Sequence, residues 1–592
     1  MRFILKFRSS LFKGLQGVGQ IPTVLKYKEV FLVKMTFEEV QSTKYGKAIT
    51  DDIPIKPEFD EIEIRDFYIP MSDGIKLLCH GAFPVGAESL PVILTRTPYG
   101  KQSLRFFFEM AFYGYICIAQ NCRGCFGSEG EWVPAKHERN DGIDTINYIK
   151  NQTFCNKNIA MTGTSYLSMN QYLICDCLPP EVKTLNLEVY SPYRHDLLYT
   201  NGMYHLEAYS GWTAYNSGVK TEKTQDELYE EMIHFTPQMY ADENVLGTKL
   251  DWYRQWLKGS EPDDDLYKTG AYGSLYDMPK AINVPVLVHA GWYDPHFGGM
   301  IRAWEHMKNE TREKSAMIIT PTNHKQALCS DIDTPNAFNP VGIRFIRSKL
   351  NWFGHHLKGK DYFQPVNEGY ITSYVYGENK YKIFKGCIKD DIENVLYIDT
   401  ENKKLSKTNI ENKTFVQYIY DPENPVSACG SEVIMTDYMY HKHKKTAEGR
   451  RIQPSVGYRK DVISFVSDKF EEDMLINGSI QVTLDISSSA EDTCFYAKLS
   501  TVDENDTAVY LRSSITTLKS ALGEYTPESR KEIKITFNKI AVLVRNGEKL
   551  RLDITSSDYP AFNIHPNTGN LWSEETKPVK AVQKIYGGKI EF

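Results

Sequence analysis

The stretch Gly163-Thr164-Ser165-Tyr166-Leu167-Ser168 constrains this chain more than any other. A β-rich run, Ile159-Ala160-Met161-Thr162, enters it, and a helix-like run from Met169 to Cys177 leaves it. A serine on a sharp strand-to-helix turn, two residues after a glycine, is the layout of a nucleophile elbow. The turn forces the serine into strained backbone geometry and admits only a small residue ahead of it. Its hydroxyl is lifted clear of the sheet, with a helix N-terminus beneath it. The second glycine usual in an elbow, two residues after the serine, is Leu167 here. Gly-x-Ser tripeptides are common in loops, so the pattern needs support from elsewhere in the chain.

A serine nucleophile requires a base to take its proton and a carboxylate to orient that base. On a strand–helix scaffold of this kind they follow in the order Ser, Asp or Glu, His. Downstream, the apolar run Val284-Pro285-Val286-Leu287-Val288 leads into His289-Ala290-Gly291-Trp292-Tyr293-Asp294, with an acid at the exit of a buried strand. Met317-Ile318-Ile319 then leads into Thr320-Pro321-Thr322-Asn323-His324, with a histidine on the loop after the next strand. Three strand-end placements in the expected order are much harder to reach by chance than one.

Together with these, several motifs mark a family. They are Arg96-Thr97-Pro98-Tyr99-Gly100-Lys101, Arg123-Gly124 with Gly127-Ser128-Glu129-Gly130, and Gly291-Trp292-Tyr293-Asp294. Asn351-Trp352-Phe353 with Leu357-Lys358-Gly359, and Ser556-Ser557-Asp558-Tyr559-Pro560, complete the set. Over roughly residues 60 to 590 the chain resembles the serine hydrolases that include cocaine esterase, the α-amino-acid ester hydrolases and the X-Pro dipeptidyl-peptidases. The resemblance implies Ser165 as nucleophile, His324 as base, Asp294 as orienting acid, and an oxyanion hole made of the Tyr99 hydroxyl and the Tyr166 backbone N–H. Two preorganised donors of that kind stabilise the charge of a tetrahedral intermediate, and Pro98 and Gly100 suggest a turn rigid enough to aim the Tyr99 ring.

The chain departs from the family at four places. The family elbow Gly-x-Ser-Tyr-x-Gly accounts for Leu167, but its last glycine is Ser168 here. Asn121 stands where an Asp is usual, and Thr320-Pro321-Thr322-Asn323 replaces a Gly-Pro-Trp ahead of the histidine. Asp294 is followed by Pro295-His296-Phe297, without the second carboxylate that helps the amino-ester hydrolases bind an ammonium.

Composition narrows the class. The 592 residues, 41% apolar and 24% charged, suit a multidomain globular protein. A net charge of −7 offers no footprint for nucleic acid, and no apolar run of spanning length occurs. Eleven cysteines, an odd number, read as reduced thiols in a cytoplasmic protein. Cys122 and Cys125 form a CxxC without a second pair to complete a zinc site, and inert thiols are expected. Met1 to Phe12 mixes Arg2, Lys6 and Arg8 with Phe3, Ile4, Leu5, Phe7, Leu11 and Phe12. It lacks the uninterrupted apolar core of a secretory signal, so an arm is expected that packs on its own subunit or on a neighbour in a homo-oligomer. A membrane-surface helix and a targeting segment are the alternatives.

Periodicity supplies the architecture. Residues 1–60 read as the extension. Strands near 67–71, 75–79, 91–95, 115–119, 158–162 and 184–189 alternate with helical runs, which argues for a doubly wound, mostly parallel sheet. Residues 61–190 and 279–359 would form an α/β-hydrolase catalytic domain, and the helical insertion 191–278 would cap its pocket. Tyr193, Tyr204, Tyr209, Trp212 and Tyr215 are the candidate pocket aromatics. Residues 360–592 carry short alternating strands, such as Ile480 to Ile486, and predict an antiparallel sandwich, by resemblance a jelly roll. The reading is a serine hydrolase acting on a small-molecule or short-peptide ester or amide, with no cofactor or metal. An acyltransferase using the same acyl-enzyme, an X-Pro dipeptidyl-peptidase and a catalytically inactive binding protein are the alternatives.

Overall fold

Strands buried along their whole length need cover on both faces, the condition of a parallel sheet wrapped by helices. The computed structural model describes residues 32–42, 55–100, 107–338, 345–362, 367–388, 394–435 and 447–592. Met1 to Phe12 lies outside the described residues. In chain order the strands are β1 (Leu32–Thr36), β2 (Glu61–Pro70), β3 (Lys76–Pro84), β4 (Leu90–Thr97), β5 (Ile116–Asn121), β6 (Cys155–Thr164) and β7 (Val182–Glu188). A short hairpin, β8 (Tyr199–Thr200) and β9 (Met203–Tyr204), precedes β10 (Val286–Tyr293), β11 (Ala316–Asn323), β12 (Tyr370–Val375) and β13 (Lys380–Lys385). Every residue of β5, β10 and β11 is buried.

All of these strands but the hairpin join one eleven-stranded sheet in the order β1-β2-β3-β5-β4-β6-β7-β10-β11-β12-β13. Pairing is parallel from β5 through β12 and antiparallel at both margins. The loops after β4, β6, β10 and β11 therefore leave from the same sheet edge, the carboxyl edge where such sheets bind ligands. Helices fill the interval between β7 and β10, among them Leu206–Asn216, Gln225–His234 and Asp251–Lys258.

Two expected boundaries move. The extension is not separate from the sheet: β1 adds to β2, and the helix Phe37–Gln41 after it starts with a capping box between Thr36 and Glu39. Beyond residue 359, β12 and β13 still belong to the main sheet, with Met317 paired to Ile371. Alternation marks Tyr370 to Val375 as a strand but says nothing about which sheet takes it.

From Val395 onward the strands form a second, ten-stranded sheet. An antiparallel sandwich of two sheets was expected; the hydrogen-bonded ladder instead runs through all these strands as one barrel-like sheet. One parallel pair, Lys404–Ser406 with Ile463–Ser467, helps to join what would otherwise be separate layers. Its longest ladder pairs Met474–Ser488 with Lys531–Val544 and carries a bulge near Gly478. Among the described residues no helix is long and apolar enough to cross a membrane.

Candidate active site

Ser165 occupies the turn between β6 and the helix Tyr166–Tyr172, with φ 60° and ψ −122°. A non-glycine residue in that region is strained and persists only when its surroundings over-determine it. Here they do. The Ser165 N–H donates to the Glu188 carbonyl at 2.9 Å, tying the turn to the end of β7. A Cβ on Gly163 would come 2.3 Å from Leu167 Cβ, so the position two residues ahead of the serine requires glycine. Ser168 is fully buried, donates to the Gly163 carbonyl at 2.6 Å and accepts from the Glu188 N–H at 2.8 Å. The Ser168 hydroxyl thus stitches β6 to β7.

Asp294 follows β10 and is fully buried. Its Oδ1 lies 3.0 Å from His324 Nδ1 and accepts the His296 N–H at 3.0 Å. An ionised carboxylate only accepts, so His324 Nδ1 carries the proton and Nε2 is left to face the cavity. Burial raises the Asp294 carboxyl, but the His324 and His296 rings beside it outweigh that and hold it below its ordinary value. Gly291 allows the closeness of β10 and β11 here, since a Cβ would meet the Thr322 carbonyl oxygen at 2.4 Å.

The Thr320-Pro321-Thr322-Asn323 run shapes the turn that presents His324. Asn323 Oδ1 accepts from the Lys325 and Ala327 N–H groups at 3.0 and 2.9 Å, and the Asn323 N–H donates to the Ala327 carbonyl. His296 was missed as a site residue by sequence reasoning. Its Nδ1–H donates to the Val189 carbonyl at 2.9 Å, so Nε2 accepts from the Tyr209 hydroxyl at 3.0 Å. The ring meets His324 edge to face, with centroids 4.8 Å apart. Burial pushes its pKa down to about 4, so it packs against the His324 ring as a neutral group. Its one signal in the sequence was its place two residues after Asp294.

Tyr99 stands on the turn after β4, where its N–H donates to Thr97 Oγ1. Its hydroxyl oxygen accepts the Trp212 indole N–H at 3.1 Å. Tyr166 is the first residue of its helix, so its N–H has no acceptor within that helix. The Tyr166 ring stacks on Trp212, and its hydroxyl donates to Glu138 at 3.1 Å while accepting the Ala135 N–H. Asn121 Nδ2 donates to the Phe126 carbonyl at 3.0 Å, a bond an aspartate could not make.

Ser165, His324, Tyr99 and Tyr166 line one cavity of about 1010 Å³, roofed by Tyr209, Trp212 and Trp256 from the helices between β7 and β10. Of the candidate aromatics, Tyr209, Trp212 and Tyr215 line it; Tyr193 faces a second cavity, and the buried Tyr204 stacks on Trp572. Beneath the elbow, Glu188 accepts from Thr164 Oγ1 and pairs with Lys349 at 2.8 Å. Burial raises its carboxyl, but Lys349 and His289 overcome this and bring it to about 2.

Asp294, His296 and His324 hold potential metal-ligand atoms within 4.8 Å of one another. The hydrogen bonds already described engage both nitrogens of His296 and Nδ1 of His324, so an ion there would have to break them. Cys122 and Cys125 are both buried free thiols, raised far above and to about 12 respectively, chiefly by burial. A thiol so far from ionising is a poor nucleophile or ligand.

The chain is similar to several known proteins. Residues 73–326 match the X-Pro dipeptidyl-peptidase (S15 family) model, and residues 403–590 match the X-Pro dipeptidyl-peptidase C-terminal non-catalytic domain. The chain is 24% identical to cocaine esterase of Rhodococcus sp. over 572 residues, covering 88% of this chain and 95% of that protein. Among solved structures, an α-amino acid ester hydrolase superposes with a TM-score of 0.74 at 20% identity, covering 89% of this chain and 96% of that one. An aminopeptidase from a marine sediment Thaumarchaeota archaeon gives 0.73 at 21% identity, covering 89% and 95%. The chain is thus similar to X-Pro dipeptidyl-peptidases of the S15 family over both of these stretches, and to an esterase along most of its length.

Proposed function

We propose that the protein cleaves an ester or amide of a small molecule or short peptide through an acyl-enzyme on Ser165. His324 Nε2 removes the Ser165 proton as the hydroxyl attacks the carbonyl carbon, then returns it to the leaving group; the same groups activate water in the second half-reaction. Asp294 fixes the imidazole tautomer and stabilises the imidazolium. The Tyr99 hydroxyl and the Tyr166 N–H receive the charge that develops on the carbonyl oxygen. The α/β-hydrolase class, with residues 191–278 as cap, belongs to the same reading. Eleven free cysteines support a cytoplasmic setting.

The observation that carries the proposal is the His324–Asp294 hydrogen bond of 3.0 Å in a cavity that the strained Ser165 also lines. Steady-state hydrolysis of 4-nitrophenyl esters tests it. Ser165→Ala and His324→Ala are each expected to lower kcat by about a million-fold, because such groups act as a unit, and Asp294→Ala by somewhat less. A Ser165→Ala protein that keeps more than a few per cent of the activity would overturn the assignment.

A further inference from the structure

Arg194 opens the short helix Arg194–Leu198 and is 7% exposed. Its guanidinium carbon lies 4.3 Å from the Trp256 ring and 4.9 Å from the rings of Tyr209 and Tyr272, all three of which line the Ser165 cavity. Arg194 lines that cavity itself and also borders the second one. No carboxylate pairs with it among the described residues, and its Nε has no hydrogen-bond partner. A guanidinium stays ionised at any working pH. Aromatic faces recover part of its lost hydration, but a buried cation without a counter-ion is costly.

The rest of the lining points the same way. Its charged residues among those described are Arg194, Lys325 and Lys349, and no Asp or Glu accompanies them. Lys349 is already paired with Glu188 beneath the elbow. Arg194 is connected to the reacting centre through contacts already described: it packs on Tyr209, whose hydroxyl holds His296, which packs on His324.

We infer that Arg194 is the substrate-recognition residue of this cavity and that the preferred ester or amide carries a free carboxylate, which Arg194 receives as its missing counter-ion. A planar guanidinium donates two parallel hydrogen bonds to a carboxylate, adding orientation to attraction. The inference rests on the proposed Ser165 chemistry. A substrate amine, by contrast, would enter a cavity whose described charges are all positive.

Matched substrate pairs test it. One pair places the carboxylate on the acyl side, mono(4-nitrophenyl) adipate against 4-nitrophenyl hexanoate. The other places it on the leaving group, 4-carboxyphenyl hexanoate against phenyl hexanoate. Taking the ratio of kcat/KM within a pair, and then wild type against Arg194→Met, cancels intrinsic reactivity. In at least one pair the ratio is expected to fall about 100-fold or more in Arg194→Met, largely through KM, and to recover in part in Arg194→Lys. The affected pair tells which side of the scissile bond Arg194 holds. Equal losses on both members of both pairs, or no preference in the wild type, would overturn the inference while leaving the Ser165 mechanism intact.

If no ester is turned over, the mechanism fails and binding decides the anion site. Quenching of tryptophan fluorescence by 4-phenylbutyrate, but not by 4-phenylbutyramide, lost in Arg194→Met and partly kept in Arg194→Lys, would still support the site. Equal quenching by acid and amide would sink it.

Discussion

Tyr99 takes the Trp212 indole N–H on its phenolic oxygen and lines the cavity that Ser165 also lines. Tyr99→Phe keeps the ring and removes the hydroxyl. A loss of about 100- to 1000-fold in kcat with KM little changed is expected, the signature of an interaction made in the transition state; a normal kcat would return Tyr99 to packing. The strand-end placements of Ser165, Asp294 and His324 were legible as sequence, whereas Tyr99 was singled out by the resemblance alone. The structure sets His324 against Asp294 and brings Ser165, His324 and Tyr99 to one cavity. Arg194 and His296 were not legible. Their roles are made by partners far off in the chain: Trp256 and Tyr272 for Arg194, Val189 and Tyr209 for His296. A lone polar residue carries no periodicity that could announce such surroundings.

The elbow shows how an element stores the geometry that a single residue uses. Ser165 is held at φ 60° by β6, β7 and the following helix together. Adding one methyl group at Gly163 would drive it to 2.3 Å from Leu167 Cβ, so the helix must move away from the strand. Gly163→Ala is therefore expected to lower both activity and melting temperature, by about 1–3 kcal/mol in stability as in other overpacked cores; unchanged kinetics would mean that the elbow is less tightly determined than described. The central strands were readable from the sequence because parallel strands buried on both faces are continuous apolar runs. The assignment of β12 and β13 was not, since an alternating strand such as Tyr370 to Val375 looks the same in either sheet.

At the scale of the whole molecule, the C-terminal sheet reaches back to the catalytic one. Arg512, fully buried, pairs with Glu432 at 2.5 Å and donates to the Trp292 carbonyl on β10, two residues before Asp294. Arg512→Met leaves the partly buried Glu432 without this cation, and breaking a buried pair costs up to about 3–5 kcal/mol; a melting temperature equal to wild type would show that the contact contributes little. Acid should weaken the fold through groups held away from their ordinary values. Burial brings His205 and His296 to about 3 and about 4 from 6.5, and Glu188 sits at about 2 against 4.5. Each binds a proton more readily when unfolded, so the stability they contribute is complete above pH 6.5 and is lost as the pH falls through these values. Asp558, raised by burial to about 6 from 3.8, opposes them: its contribution is complete below 3.8 and fades as the pH rises to 6. The melting temperature is thus expected to fall between pH 6.5 and 3, and a rise over that interval would contradict the burial of these histidines. The central claim, that Ser165 is the nucleophile, meets its most direct test in the mass of the protein after treatment with a fluorophosphonate, followed by peptide mapping. A single adduct on the peptide containing Ser165, absent from Ser165→Ala and formed far more slowly in His324→Ala, is the predicted result. An adduct on another residue, or none on an enzyme that still hydrolyses esters, would contradict it.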